Sequence, residues 1–243
     1  MDNTDDIYRA AINGDYQKIK SLIKAGANFD IYNNHDTSPL HFLAYNYSSA
    51  TTSEQKELYI KSIKLLIKNG VSLNRVDIDG TPLHDACQKS AIPVIKVLIE
   101  AGANINAHNR SGNTPLHIAV NANNIEALKL LAKAGVDLNR KNNNGYPPID
   151  WACELNRYSF VIFLIESGAK VTPKVIEFYN SLVITNHKLE TYEAMQNYVQ
   201  QLGRQIIERI KSHQQYDLIK YLEPQEQQYF PKAIVKASIK GLY

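Results

Sequence analysis

Apolar residues recur along the chain in one spacing, five times. Seven, four and three residues before Gly26, Gly70, Gly102, Gly135 and Gly168 stand Ile19/Leu22/Ile23, Ile63/Leu66/Ile67, Ile95/Leu98/Ile99, Leu128/Leu131/Ala132 and Val161/Leu164/Ile165. That spacing is one face of an α-helix, so each set predicts a helix with a single stripe to bury. The glycine sits where a helix ends on a left-handed residue, and Lys24, Lys68 and Lys133 lie in the last turn, where a cation favours the helix dipole. A second helix precedes each of these. Thr81-Pro-Leu-His84, Thr114-Pro-Leu-His117 and Pro147-Pro-Ile-Asp150 start 33 residues apart, and Ser38-Pro-Leu-His41 starts 43 before Thr81. A hydroxyl followed by proline supplies an N-cap and a preset φ at the first helical position. Each such helix closes on a small residue 15 before the glycine: Ala11, Cys87, Val120 and Cys153. From Ala44 to Gly70 the distance is 26, so this copy carries an insertion of 11 residues, placed at Tyr47 to Glu57 (YSSATTSEQKE).

A fixed period with two landmarks is the signature of stacked units, each a helix, a tight turn, a second helix and a polar loop. The segments TPLHDAC and TPLHIAV, the AGAN and AGVD turns, and the Asn-rich stretches ending in Gly80, Gly112 and Gly145 make the chain resemble the ankyrin repeat family. The fold class expected from the resemblance is all-α: an ankyrin-repeat solenoid with a C-terminal helical extension. Residues 1–172 are expected to hold five repeats, 4–36, 37–79 with the 11-residue insertion, 80–112, 113–145 and 146–172. Residues 173–243 are expected to form a capping or extension domain. Terminal copies depart from the pattern because one face meets no neighbour. Repeat 1 accordingly has Asp5-Asp6-Ile7-Tyr8 in place of the motif, and repeat 5 has Asp150 where the motif histidine would stand. In the family that histidine is expected to bond the backbone of its own turn.

The resemblance implies a non-enzymatic module that binds a protein on a concave surface, with hairpin tips as fingers and the first helix of each repeat as palm. Outward positions there are free of packing duty. On this chain they are His35, Asp79, Arg110, Asn143 and Tyr146 at the tips, and Asn13, Tyr45, Asn46, Gln88, Lys89, Asn121 and Glu154 on the palm. Amide, aromatic and singly charged side chains alternate without a dominant sign, which suits a polar protein surface. The insertion is read as a mobile loop outside the palm, whose deletion would leave the melting temperature nearly unchanged. The family also implies one modification. Asn139, with Leu131, Asp137 and Leu138 before it, fits the pattern of an asparaginyl hydroxylase target, while an asparagine that bonds its own hairpin is the plainer role.

Charge and composition narrow the partners. Over 243 residues, 27 basic and 24 acidic side chains leave a net charge of +3, too little field for nucleic acid to be the expected partner. His41, His84, His117, Cys87 and Cys153 occupy equivalent places in successive repeats. Helices stack about 8–10 Å apart, so these residues do not converge on one ion, and no metal is expected. Cys87 and Cys153 share one slot two repeats apart and read as packed core thiols. No GxSxG, HExxH, Walker loop or GxGxxG occurs, so no catalytic residue and no cofactor is assigned. Trp151 follows the motif in the slot of Phe42, Asp85 and Ile118 and is expected to be at least partly buried. Two cysteines point to a reducing compartment, MDNTDDIYRAA lacks the features of a secretory leader, and runs such as Phe160 to Ile165 are too short to cross a bilayer. A soluble, cytoplasmic protein is expected. The richness in Asn, Lys, Ile and Tyr suggests an AT-rich genome; intracellular bacteria and large DNA viruses deploy ankyrin proteins against host targets, so a secreted effector in the host cytoplasm is the finer expectation.

Beyond Thr172-Pro173 the glycine and TPLH landmarks stop. Leu189, Tyr192, Met195, Val199, Leu202, Ile206 and Ile210 predict an amphipathic helix over 187–212, with shorter helices near 174–184, 215–222 and 231–241. The stripe has three possible uses: capping repeat 5, building a small bundle, or docking another chain. Capping with a bundle is favoured, because an uncapped repeat end exposes its core. Lys232, Lys236 and Lys240 among Ile234, Val235 and Ile239 form a basic amphipathic series, an expected place for peripheral membrane contact at 232–243. The rival function is the targeting arm of an enzyme whose catalytic part involves the C-terminal segment, where His187 and His213 are the neutral-pH bases.

Overall fold

A computed structural model describes residues 4–188 and 193–228, with side chains described for 4–182 and 200–228. Among the described residues every regular element is helical and no strand occurs. The helices come in pairs: α1 (Thr4–Ile12) with α2 (Tyr16–Lys24), α3 (Pro39–Asn46) with α4 (Ser53–Lys68), α5 (Pro82–Gln88) with α6 (Ile92–Glu100), and α7 (Pro115–Asn121) with α8 (Ile125–Lys133). Then follow α9 (Pro148–Glu154), α10 (Tyr158–Glu166), α11 (Pro173–Lys188), α12 (Glu193–Ser212) and the short α13 (Pro224–Gln227). The chain forms two compact units, Met1–Tyr146 and Pro147–Tyr243.

In the first unit the inner helices stack in order, α1 on α3, α3 on α5 and α5 on α7, and the outer helices do the same, α2 on α4, α4 on α6 and α6 on α8. The TPLH segments therefore march along a row and do not meet in one pocket. Ile19, Ile63, Ile95, Leu98, Leu128 and Leu131 of the outer helices and Leu40, Leu83 and Leu116 of the inner ones are fully buried. Two left-handed turns per repeat make the pairs possible. One closes the inner helix at Gly14, Ser90 and Asn123; the other closes the outer helix at Gly26, Gly70, Gly102 and Gly135. At Gly26 the φ is +83°, and the two bonds around it, Gly26 N–H to Ile23 O and Ala27 N–H to Leu22 O, take up carbonyls the helix leaves open.

Repeat 2 breaks this rule, and here the structure corrects the sequence. The insertion is not a mobile loop. Its first residues form a 3₁₀ turn, Tyr47–Ser49, in place of the left-handed closure, and the remainder joins the outer helix. That helix, α4, has 16 residues where α2, α6 and α8 have 9. It opens on a capping box: Thr52 Oγ1 accepts from Gln55 N–H at 3.1 Å, and the Gln55 side chain accepts from Thr52 N–H. Tyr47 and Ala50 are buried, Tyr47 meets Tyr59 edge to face at 6.4 Å, and the Tyr59 hydroxyl donates to Ile12 O at 2.8 Å. A segment that buries two tyrosines is structural.

The second unit continues the paired layout without the sequence motif. α11 packs on α9, α12 packs on α10, and α11 meets α12, which is the inner-on-inner, outer-on-outer arrangement of a repeat. Thr172 opens α11 as Thr81 and Thr114 open theirs, its hydroxyl accepting from Val175 N–H at 3.3 Å. What has been lost is the finger: Gly102 and Gly135 lie 12 residues before the next motif, Gly168 only 4 before Thr172. The amphipathic helix begins at Glu193, not 187, because residues up to Lys188 belong to α11, itself longer than the expected 174–184. Leu202, Ile206 and Ile210 are buried as its stripe requires. Residues 216–221 form a 3₁₀ helix within the expected 215–222, and α13 had no signal in the pattern. α10 explains why cover is needed: YSFVIFLIE has an apolar residue at most positions, and Phe160, Val161, Leu164 and Ile165 are buried. α12 adds polar ties, Arg209 Nε to Ala169 O at 3.3 Å and, just beyond it, Gln215 Nε2 to Val171 O at 3.0 Å. Leu189 and Tyr192, the helix expected near 231–241 and the lysines of 232–243 lie outside the described residues, as do the side chains of Met195 and Val199.

Candidate protein-interaction surface

Each finger of the first unit is folded by one side chain at its base. The Oδ1 atoms of Asn33, Asp77, Asn109 and Asn142 each accept two backbone N–H groups, from His35 and Thr37, Asp79 and Gly80, Ser111 and Asn113, and Asn144 and Tyr146, at 2.9–3.1 Å. Asn and Asp close such turns because their short side chains reach the backbone two residues on. The tips are thereby held away from the helices.

Histidine fixes each finger against the palm. In α3, α5 and α7 the Nδ1 atoms of His41, His84 and His117 accept from the N–H of Ser38, Thr81 and Thr114 at 3.0–3.2 Å, completing capping boxes. That leaves the proton on Nε2, which donates to Gly80 O, Asn113 O and Tyr146 O at 2.9–3.1 Å. The bond to its own turn is therefore half of what the motif histidine does; the other half crosses to the next finger. Burial holds all three rings neutral, with the His84 pKa pushed down to about 4. Asparagines add a third row of ties: Asn74 Oδ1 accepts from Asn104 N–H at 2.7 Å and Asn106 Oδ1 from Asp137 N–H at 2.8 Å. Asn139, the next in that column, is partly exposed, its N–H bonded to Asp137 Oδ1 at 2.9 Å.

On this frame Asn13, His35, Asp79, Gln88, Arg110, Asn121 and Asn143 are exposed. Tyr45 is 42% exposed, one of few large apolar side chains left so open, with Ile12 at 41% and Ile78 at 56%. The structure brings Tyr45 and Lys89 together: the Lys89 ammonium lies 3.9 Å from the ring centroid. Lys89 O accepts from Ser48 Oγ at 2.7 Å, so the insertion braces this pair. Asn46, half-buried, donates to Phe42 O at 2.9 Å. At the tips Arg110 approaches Asp36 at 4.0 Å, Arg75 pairs with the same carboxylate, and Asn143 Nδ2 donates to Arg110 O at 2.9 Å. Tyr146 is half-buried and lends its carbonyl to His117. Glu154 belongs to the second unit, where its carboxylate pairs with Lys174.

One residue of this face was not marked by the sequence. Asp85, in the slot of Phe42 and Ile118, is 5% exposed, and burial, then Asp77 and Asp79, push its pKa well up. An acid in a slot otherwise apolar was the available signal. Trp151, in the same slot of α9, is partly buried. Cys87 and Cys153 are buried free thiols whose pKa values burial pushes up, the opposite of what makes a nucleophile. Among the described residues no three His, Cys, Asp or Glu side chains gather as a metal site, and no helix is long and apolar enough to cross a membrane.

The family model described as "Ankyrin repeats (3 copies)" matches residues 7–109 and 93–175. The chain belongs to the ankyrin repeat family, whose repeats are a protein–protein interaction module and are typically non-catalytic. Over 106 residues it is 29% identical to the mouse (Mus musculus) protein named "Ankyrin repeat and SOCS box protein 9". The aligned segment is 44% of this chain and 33% of that protein, so the chain spans about a third of that relative's length.

Proposed function

We propose that the protein is a non-enzymatic scaffold that receives a protein partner on the fingers and inner helices of its first unit. The observation that carries this is the division of labour there. His41, His84 and His117 and the finger-base Asn and Asp residues consume the backbone's hydrogen bonds, while Asn13, His35, Gln88 and Asn121 stay outward and Tyr45 is held open over Lys89. A rigid, mixed-polarity face with an exposed aromatic suits a protein partner. Residues 1–172 act in this reading as five repeats and 173–243 as their cap, with Glu154 a marginal member of the surface. In its finer form the partner is a host protein and the chain a secreted effector working in the host cytoplasm, which the Asn-, Lys-, Ile- and Tyr-rich composition supports. Asn139 is the site proposed for asparaginyl hydroxylation.

Affinity capture from host-type lysate, read by quantitative mass spectrometry, tests the reading. A variant with Tyr45→Ala, Lys89→Ala and Asn121→Ala is expected to lose the proteins that wild type enriches. A variant with Glu126→Ala and Lys129→Ala on the exposed side of α8 is expected to keep them. Equal capture by the first variant and wild type removes this surface from consideration.

A further inference from the structure

The second unit holds a cavity of about 490 Å³ lined by Tyr179 of α11, by Arg204, Ile207, Glu208 and Lys211 of α12, and by Glu226 of α13. Its size falls within the range of small-molecule sites, about 300–1,000 Å³. Glu226 is 7% exposed. Its Oε1 accepts from the Tyr179 hydroxyl at 3.2 Å, and its Oε2 is buried without a hydrogen-bond partner. A buried polar atom left unmade costs free energy, on the order of 1–3 kcal/mol, and is seldom retained without a use.

The surroundings say what would satisfy it. Burial raises the Glu226 pKa, with Glu223 adding to the rise and Tyr179 opposing it. With its proton kept, the acid offers an O–H on Oε2 and needs an acceptor. Arg204 and Lys211 then face one ionised carboxylate, Glu208, so the lining carries a net positive charge. Arg204 commits its Nε to Gln200 O at 3.4 Å, which leaves the guanidinium Nη donors for another group. A cationic ligand would need Glu226 ionised and would sit beside two cations. A carboxylate instead takes a short charge-assisted bond from a carboxylic acid and a forked pair from a guanidinium.

We propose that this cavity binds the carboxylate of a small organic acid, which accepts from Glu226 Oε2 and from the Arg204 guanidinium. Tyr179 holds Glu226 by its other oxygen. Gly203 keeps the wall open to this arrangement, since a Cβ there would stand 2.6 Å from the Tyr179 hydroxyl.

Titration calorimetry of the full chain with succinate, and separately with methylammonium and inorganic phosphate, tests the proposal. Succinate is expected to bind saturably and more tightly than either of the others. Arg204→Gln, a change at an exposed side chain, is expected to weaken succinate about tenfold or more, the loss of a charge-assisted pair. Glu226→Gln keeps an N–H donor in the same shape and is expected to retain binding, whereas Glu226→Leu is expected to lose it. Unchanged melting curves for Arg204→Gln and Glu226→Gln keep these comparisons about binding. Absence of saturable succinate binding, or methylammonium binding that Glu226→Gln removes, overturns the proposal.

Discussion

In Met1–Tyr146, three successive inner helices carry a buried histidine that takes a hydrogen from its own cap and gives one to the carbonyl that closes the next finger. In Pro147–Tyr243 the same slot holds Asp150 in α9 and Val175 in α11, and no finger stands between the two helices. Asp150 accepts instead from the Thr172 hydroxyl that caps α11. Arg209 and Gln215 reach back to backbone carbonyls at Ala169 and Val171. The helix-pair arrangement survives loss of the motif, because it is made by apolar stripes; the motif's own product is the finger and its angle to the palm. A unit that needs a binding face keeps the histidines. A unit that closes a stack does not.

The sharpest way to break this comparison is to remove 47–57. If repeat 2 is held by the same packing as its neighbours, losing the Tyr47 and Ala50 burial and the braced start of α4 lowers the melting temperature by more than about 10 °C in thermal denaturation followed by circular dichroism. A shift near zero would restore the mobile-loop description. Next in size, His84→Ala leaves Asn113 O and the Thr81 cap unpaired and is expected to cost about 2–4 kcal/mol in urea unfolding. Asp150→Ala, in the unit without fingers, is expected to cost about 1 kcal/mol. Equal costs would erase the distinction between the units.

Acid should act chiefly on the histidines. A ring whose folded pKa lies below the unfolded value near 6.5 stabilises the fold above that value, and the contribution is lost as pH falls toward the folded pKa. For His84 the window runs from about 6.5 down to about 4. His41 and His117 move in the same direction. Asp85 has the opposite sign: its raised pKa makes the charged form unfavourable at neutral pH, so acid relieves it. Urea midpoints measured between pH 7 and pH 4 are expected to fall, and to fall less steeply in His84→Gln. The smallest effect follows from the same residue pair of signs: Asp85→Asn is expected to raise stability at pH 7 by about 1 kcal/mol, checked by the shift in urea midpoint.

The helix pairs were legible because their signals are local and repeated: Leu40, Leu83 and Leu116, the prolines before them, and the glycines that end α2, α4, α6 and α8. The insertion misled because Ser, Thr and Glu in YSSATTSEQKE have loop-like composition, while the T-x-x-Q of Thr52 to Gln55 ahead of an apolar-periodic run marks a helix start. Of the interaction surface, the outward residues followed from the repeat frame. The Nε2 bonds did not, since they join residues 29 or 39 apart and a sequence shows the donor without its acceptor. The pairing of Lys89 with Tyr45 and the burial of Asp85 belong to the same kind: both depend on neighbours that only stacking supplies.

Hydrogen exchange on the protein bound to its captured partner tests the central claim most directly. Slowed exchange at the fingers, 33–37, 77–80, 109–113 and 142–146, and at the ends of the inner helices near Asn13, Lys89 and Asn121, with 173–228 unchanged, is the predicted result. Protection confined to 173–228, with the fingers exchanging as in the free protein, would contradict it.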